Sequence, residues 1–164
     1  NSKVIFLPLG GCGDNWQNNE CYRKELIKRL RIIGGMARDN GLVIGIRTSL
    51  SAKEDISLLK EINCDNIKIY YNFQDAADAK RDICKELKML GRDRIIQIHA
   101  SNTDSVNLNE DTEIDMPRIK KTLDKLGWSG WLVIERSRDI NHIRDVTFNY
   151  KNNVKYLKDT FLLH

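Results

Sequence analysis

The chain has 164 residues, of which 41% are hydrophobic and 30% charged, and it contains only 2 prolines and 10 glycines. This composition excludes disordered and collagen-like chains and predicts a single globular domain over residues 1–164. The formal net charge is +4, but the basic residues are spread along the chain, so a nucleic-acid partner is not predicted. A membrane partner is not predicted either, because no apolar run approaches the roughly 18 residues of a membrane helix.

Short apolar runs alternate with longer amphipathic stretches in chain order. The apolar runs are rich in β-branched and aromatic residues, which favours buried strands: Val4–Leu9, Leu42–Ile46, Ile67–Tyr71, Ile95–Ile98 and Trp131–Ile134. The amphipathic stretches carry apolar residues at three- and four-residue spacing, which predicts helices: Glu20–Asn40, Ser51–Ile62, Asp78–Leu90, Met116–Leu126 and Tyr150–Phe161. Strands that alternate with helices in this way predict an α/β fold with a parallel sheet built from five βα units.

Residues typical of helix ends support these boundaries. Ser51 and Glu54 have the spacing of a capping box, and Asp115 is a predicted N-cap. Gly91 and Gly127 follow predicted helices as typical C-terminal glycines.

The four cysteines, at positions 12, 21, 64 and 84, form no C-x-x-C pair and lack the spacing of a zinc site. Free thiols are typical of a reducing compartment, so a cytoplasmic location is predicted. No signal peptide is visible. Residue 1 is Asn rather than Met, so a segment before it is compatible with the sequence.

A polar residue directly follows the last apolar residue of four predicted strands. These residues are Arg47, Asn72, His99 and Glu135. Because the carboxyl ends of parallel strands meet at one edge of a sheet, we expect the four side chains to converge there. One interpretation is structural, with an ion pair between Arg47 and Glu135 and a hydrogen-bonded imidazole at His99. The other is a site, because imidazole, carboxylate and amide oxygen are suitable donors for Mn²⁺, Mg²⁺ or Zn²⁺.

Four segments around these residues form a broader pattern: IKIYYNFQDA (67–76), GRDRIIQIHASNTD (91–104), GWSGWLVIERSRD (127–139) and NNVKYLKDTF (152–161). The stretch from Lys3 to Phe161 that contains them resembles the carboxyl-terminal part of the sugar-phosphate isomerase/epimerase proteins. That family has xylose-isomerase-like TIM barrels. The resemblance implies a partial TIM barrel of five βα units, which is the C-terminal part of a (β/α)₈ barrel.

The resemblance also implies a site. The family holds a divalent metal with Glu, Asp, His and Glu at four successive strand ends, and two of these glutamates move protons between neighbouring carbons. His99 and Glu135 correspond to the histidine and the last glutamate, whereas Asn72 stands at the aspartate and Arg47 at the first glutamate. The implied function is a sugar or sugar-phosphate isomerase or epimerase. Glu135 is then the catalytic base, and Asn72, His99 and Glu135 are the metal ligands.

Arg47 changes the charge of this implied site. Two unit charges about 4 Å apart repel by roughly 4 kcal/mol at an effective dielectric constant near 20, and a dication doubles that repulsion. A divalent metal (Mn, Mg or Zn) is therefore expected to be weakly held or absent unless another acid helps, the candidates being Asp75, Asp104 and Glu113. Arg47 is instead predicted to bind a phosphate or carboxylate of the substrate. Arg136 either lines the same crevice as a substrate-binding residue or binds surface acids.

A full (β/α)₈ barrel takes about 250 residues and at least about 200. Five units in 164 residues correspond to the last five strands of a barrel, with two unpaired edges that invite pairing with another copy. We favour a piece of a longer chain over a homo-oligomer. Two other functions stay open: a non-catalytic carbohydrate-binding relative of this barrel and an abasic-site endonuclease. The endonuclease is disfavoured because those enzymes have additional His and acidic metal ligands.

Two further patterns carry less information. The glycine-rich segment GGCGD (10–14) is either a phosphate cradle or a loop leading to the first helix. The loop is favoured because the Lys-Ser/Thr of a P-loop does not follow. Trp128 and Trp131 flank the last strand and are predicted to be packing residues.

Overall fold

The computed structural model describes residues 2–9 and 16–162. The GGCGD segment lies outside the described residues, as does Cys12. The other three cysteines are free thiols. No helix of the described residues is both long enough and apolar enough to cross a membrane.

Strands and helices alternate through the described part of the chain. The strands are Val4–Pro8 (β1), Val43–Arg47 (β2), Ile67–Asn72 (β3), Ile95–Thr103 (β4) and Trp131–Ser137 (β5). The α-helices are Glu20–Asp39 (α1), Ala52–Ile62 (α2), Phe73–Asp78 (α3), Ile83–Leu90 (α4), Met116–Leu126 (α5) and Val146–Phe161 (α6), and a 3₁₀ turn at Ile140–His142 precedes α6. This alternation confirms the predicted α/β fold class.

The five strands form one parallel sheet in the order β1-β2-β3-β4-β5. The sheet curls into a half-barrel whose outer face is covered by the helices, which confirms the predicted partial TIM barrel of five units. Among the described strands, β1 and β5 have one neighbour each. A homo-oligomer formed through these edges stays a prediction.

The hydrophobic core lies between the sheet and the helices. Ile46, Ile69 and Ile98 point outward from three neighbouring strands and share one buried cluster with Leu58 of α2 and Leu87 of α4. Burying one such side chain contributes roughly 1.5–3 kcal/mol, so this layer holds the helices on the sheet. Because side chains alternate along a strand, the residues next to these isoleucines face the inner side of the half-barrel.

The prediction of one helix over Asp78–Leu90 is wrong, because the structure has the end of α3 and the whole of α4 in this stretch. The first helix, α3, begins after Asn72, whose side chain accepts backbone N–H groups as its N-cap, and ends at Asp78. Lys80 then has a φ of 54°, which interrupts helical geometry. Asp82 caps α4 in turn. The left-handed Lys80 and the capping Asp82 therefore divide the segment.

The predicted capping residues at the other helix ends are confirmed, whereas the predictions for the two tryptophans have mixed outcomes. Ser51 Oγ accepts the Glu54 N–H, and Glu54 Oε2 accepts the Ser51 N–H at 2.9 Å, which confirms the capping box. Trp128 is partly buried and its Nε1 donates to the Ile95 carbonyl at 3.0 Å. The packing prediction for Trp131 is wrong, because this side chain is 73% exposed at the start of an edge strand. The predicted caps at three other positions are confirmed, namely Asp115, Gly91 and Gly127.

β4 and β5 run further than their apolar runs predicted, ending at Thr103 and Ser137. His99 and Glu135 therefore lie inside these strands rather than directly after them. Asn72 and His99 are register partners across β3 and β4, which places both on the inner face. The pairing of β4 with β5 is irregular just after His99, close to this level of the sheet.

Candidate active site

Four side chains form one connected polar group on the inner face, called the lumen cluster below: Arg47, Asp75, His99 and Glu135. Arg47 Nη1 donates to Glu135 Oε2 at 3.0 Å, across the two strands that separate β2 from β5. His99 Nδ1 lies 3.2 Å from the same oxygen. The curl of the sheet thus brings Arg47, His99 and Glu135 together.

Asp75 is a member of the lumen cluster that the sequence indicated only as a helper for a metal. It accepts two hydrogen bonds from Arg47, from Nε at 2.9 Å and from Nη2 at 2.6 Å. This bond to Asp75 raises the pKa of Arg47 above its ordinary value, so the guanidinium stays charged. Ser49 Oγ also donates to Asp75, at 2.9 Å. Asp75 lies three residues after Asn72, in the first turn of a helix. That spacing is the signal that could have identified Asp75 from the sequence.

Asn72 does not use its oxygen in the lumen cluster. Its Oδ1 accepts the backbone N–H of Gln74 at 2.8 Å and of Asp75 at 3.2 Å, as the N-cap of α3. The side chain is 3% exposed, and its Nδ2 has no hydrogen-bond partner among the described residues. The oxygen expected to bind a metal is therefore committed to the helix, and an amide donor is left without a partner.

Aromatic rings hold His99 in place. Its ring centroid lies 5.0 Å from that of Phe6 and 4.5 Å from that of Tyr70. Gly45 leaves space for Tyr70, because a Cβ at this glycine would lie 3.0 Å from the tyrosine ring. Burial lowers the pKa of His99, against the opposing effect of the Glu135 carboxylate. The imidazole is therefore neutral at pH 7.

Tyr70 is the second titratable ring beside the lumen cluster. Burial raises the pKa of Tyr70 to about 12, and the nearby Glu135 carboxylate adds to the effect. The phenol therefore keeps its proton at neutral pH and can donate it in a hydrogen bond. Sequence reasoning missed this residue, although its position two residues before a strand-end polar residue places it on the same face.

The lumen cluster does not fit a divalent metal. Within residues 2–9 and 16–162, no group of three or more His, Cys, Asp or Glu side chains is placed to hold one. Asp75 and Glu135 both bind Arg47, and Asp104 accepts two hydrogen bonds from Arg138. A dication would have to displace the guanidinium or lie beside it, where charge repulsion disfavours it.

Arg136 contacts a surface acid. Its Nη1 donates to Asp104 Oδ2 at 3.0 Å, and Arg138 binds both oxygens of the same carboxylate at 2.7 Å. This contact matches one of the two interpretations of Arg136 offered by the sequence. Its role in substrate binding stays a prediction.

A polar cavity of about 250 Å³ opens past the end of β4. Gln74, which precedes Asp75 of the lumen cluster, is 7% exposed, and its Oε1 has no hydrogen-bond partner among the described residues. Three acidic side chains give the cavity a negative character, and one of them is the candidate metal acid Glu113. The lining residues are Gln74, Thr103, Ser105, Val106, Glu110, Asp111, Thr112 and Glu113.

Solved structures with the same half-barrel include sugar epimerases. D-psicose 3-epimerase from Clostridium cellulolyticum H10, crystallised with D-tagatose, matches 96% of this chain with a TM-score of 0.75 at 13% identity, over 64% of its own length. The 3-keto-D-glucoside 4-epimerase from E. coli matches 95% of this chain with a TM-score of 0.73 at 16% identity, over 63% of its length. An AP endonuclease of family 2 from Brucella melitensis matches 84% with a TM-score of 0.67 at 14% identity, over 57% of its length.

These similarities show a shared fold. The chain spans less than two thirds of the length of each of these three proteins. No curated protein matches the sequence.

A family model provides the more specific match. The model described as xylose isomerase-like TIM barrel matches residues 2–160, nearly the whole chain. The matched region contains all five strands and every residue of the lumen cluster. The resemblance drawn from the segments around His99 and Glu135 is thereby confirmed. The chain belongs to the xylose isomerase-like TIM barrel family.

Proposed function

We propose that the chain binds a small uncharged sugar at the lumen cluster and moves a proton at the carbon next to its carbonyl, as an isomerase or epimerase does. The observation that carries this proposal is a pair of buried polar atoms that lack hydrogen-bond partners among the described residues. They are Asn72 Nδ2, on the inner face beside His99, and Gln74 Oε1, which lines the cavity past the end of β4. Buried polar atoms are nearly always paired in folded proteins, so these two atoms indicate a missing polar ligand at this end of the sheet.

Two members of the lumen cluster, Glu135 and Arg47, have a direct role in this reaction. Glu135 is the base that takes the proton from carbon, since its carboxylate is partly open to solvent at 34% side-chain exposure. Three N–H groups of Arg47 bind carboxylates, and the other two can donate to the carbonyl oxygen as it gains negative charge. Return of the proton by Glu135 to the neighbouring carbon gives isomerisation. Epimerisation requires a solvent proton to be delivered to the opposite face, with the proton on Glu135 released to solvent.

The charges around the site favour an uncharged sugar over a sugar phosphate. Arg47, predicted as a phosphate contact, is already paired with Asp75 and Glu135. The cavity past the end of β4, which is lined by Gln74 next to Asp75 in the sequence, carries the carboxylates of Glu110, Asp111 and Glu113, which repel a phosphate. Sugar hydroxyls can instead donate to these oxygens and to the unpartnered Gln74 Oε1.

Proton transfer can be tested by isotope exchange. The chain is incubated in D₂O with D-psicose, D-tagatose or D-fructose, and NMR follows deuterium entering at the carbons next to the carbonyl. We expect exchange with at least one sugar, no exchange with the corresponding hexose phosphates, and loss of exchange in Glu135→Gln. Glu61→Gln, at a surface ion pair with Arg23, is the matched control and should exchange as the unchanged chain does.

A non-catalytic carbohydrate-binding relative is the second candidate, and one observation favours it. Glu135 Oε2 accepts a hydrogen bond from Arg47 Nη1 and also faces His99, so this oxygen is already occupied by groups of the chain itself. Saturation-transfer NMR with the same sugars separates the two candidates. Binding without deuterium exchange identifies the binding protein, and binding of none of the sugars contradicts both.

A further inference from the structure

Arg47 occupies the centre of the lumen cluster. Its guanidinium binds Asp75 through two nitrogens and Glu135 through the third, and Glu135 in turn lies 3.2 Å from His99. Proteins of this family typically use a divalent metal. Here a positively charged side chain lies between the acidic residues instead, with a side-chain exposure of 17%.

Two departures from the expected ligand set act as one unit. Asn72 replaces the expected aspartate, and its oxygen caps α3 instead of facing a cation. The cap accepts the backbone N–H of Asp75, which fixes the start of α3 and the carboxylate that binds Arg47. Ser49 donates to the same carboxylate, at 2.9 Å. Asn72 therefore helps to position Asp75, and Asp75 in turn binds Arg47.

We infer that the guanidinium of Arg47 is a built-in cation that takes the place of a divalent metal, so that the site works without a metal ion. It holds Glu135 and Asp75 together, as a shared cation would, and directs its remaining N–H groups to ligand oxygens. Guanidinium suits this role because it presents a planar fork of donors to two carboxylates and does not lose its proton near neutral pH. The inference extends the proposed function, but its deciding measurements are of metal binding and do not depend on the sugar.

The first measurement uses the unchanged chain after treatment with a chelator. We expect calorimetric titration with Mn²⁺ to show no binding at the lumen cluster, and the deuterium exchange described above to be insensitive to EDTA. Mn²⁺ binding that disappears in His99→Ala would overturn the inference, because it would mean that the cation site coexists with the guanidinium.

The second measurement removes the built-in cation. Arg47→Gln leaves His99, Asp75 and Glu135 without it, and we expect Mn²⁺ binding to strengthen by at least about tenfold as the repulsion is lost. Arg47→Glu combined with Asn72→Asp restores the expected four ligand types, and the expected gain is at least about 100-fold. Adding His99→Ala to this double variant should abolish the gain and serves as its matched control.

The outcomes separate this inference from the proposed function. Circular dichroism establishes which variants fold, and if the double variant does not, Arg47→Gln decides alone. A folded Arg47→Gln with no gain in Mn²⁺ binding would contradict the inference even if sugar exchange is observed. Conversely, a gain in metal binding with no sugar exchange would support the inference and leave the proposed reaction refuted.

Discussion

Two clusters that each contain one arginine and two carboxylates lie one on the inner face and one on the helix side of the same sheet, and they differ in their access to solvent. The first is the lumen cluster. The second, called the helix-side cluster below, consists of Arg81, Glu86 and Asp55, and Arg81 Nε lies 3.0 Å from Glu86 Oε1. Both carboxyl side chains of the helix-side cluster are buried, whereas Glu135 on the inner face is partly exposed.

The two clusters arise from consecutive residues of the same strands. Arg47 faces the inner side, and the next residue, Thr48, donates to Asp55 Oδ1 at 2.6 Å behind the sheet. Tyr70 likewise packs on His99, while Tyr71 turns to the helices. Because side chains alternate along a strand, each of these two pairs of consecutive residues places one polar side chain on each face of the sheet.

The two clusters differ in the hydrogen bonds of their carboxylates and of the polar groups beside them. Glu86 accepts the Tyr71 hydroxyl at 2.7 Å and the Ala52 N–H at 3.1 Å, and Asp55 accepts Thr48. These bonds tie α2 and α4 to the strands. In contrast, Asn72 Nδ2 and Gln74 Oε1 beside the lumen cluster have no hydrogen-bond partner within the described part of the chain. Similar charges therefore stabilise the fold where the carboxylates connect several elements, and are available for ligand binding where neighbouring polar atoms remain unpaired.

The largest expected effect is on stability, through Asp55. Burial raises the pKa of Asp55 from 3.8 to about 7, with the neighbouring Glu86 adding to it and the Thr48 hydroxyl opposing it. Between these two pKa values the folded chain binds more protons than the unfolded chain, so stability falls as pH rises. The loss should reach roughly 4 kcal/mol between pH 4 and pH 8. Urea unfolding at a series of pH values measures it.

Asp55→Asn isolates this effect. The amide keeps the shape of the side chain but does not ionise. The free energy of unfolding of Asp55→Asn relative to that of the unchanged chain should therefore rise as pH increases from 4 to 8. Asp39→Asn, at an exposed ion pair with Arg38, should instead follow the unchanged chain. Parallel curves for Asp55→Asn and the unchanged chain would show that this carboxyl does not titrate in the buried cluster.

Tyr71→Phe should produce the next largest effect. The substitution removes the hydroxyl that donates to Glu86 Oε2 and leaves a buried carboxylate oxygen with one bond fewer. Such a loss costs about 1–3 kcal/mol, and urea unfolding at pH 7 measures it. Tyr22→Phe, at an exposed position on α1, is the control and should change stability by much less. If both substitutions change the free energy of unfolding equally, the helix-side cluster does not stabilise the fold.

The sequence was sufficient to predict the half-barrel and the neighbourhood of its polar residues. Apolar runs at regular spacing define the parallel strands, and the carboxyl ends of such strands meet at one edge, which is why Arg47, His99 and Glu135 could be expected together. Strand ends were less predictable. β4 and β5 continue through polar residues because pairing between neighbours, not apolar content, keeps a strand extended.

The partners of the site residues could not be read from the sequence. Asn72 has an oxygen that suits a cation or a helix N-cap equally well, and only the start of α3 shows which use prevails. Asp75 becomes a site residue through the position of that helix. Both outcomes depend on the geometry that follows the strand, and the pattern of apolar residues contains no information about it.

The smallest expected effect is the stability change of Glu135→Gln, and it tests the contrast between the clusters most directly. Glu135 is partly exposed, and such ion pairs contribute about 1 kcal/mol or less, so the free energy of unfolding should fall by no more than this. The same variant should lose deuterium exchange completely. Urea unfolding and NMR on one sample provide both values. If Glu135→Gln instead costs as much stability as Tyr71→Phe, the lumen cluster holds the sheet together as the helix-side cluster does, and its charges are structural.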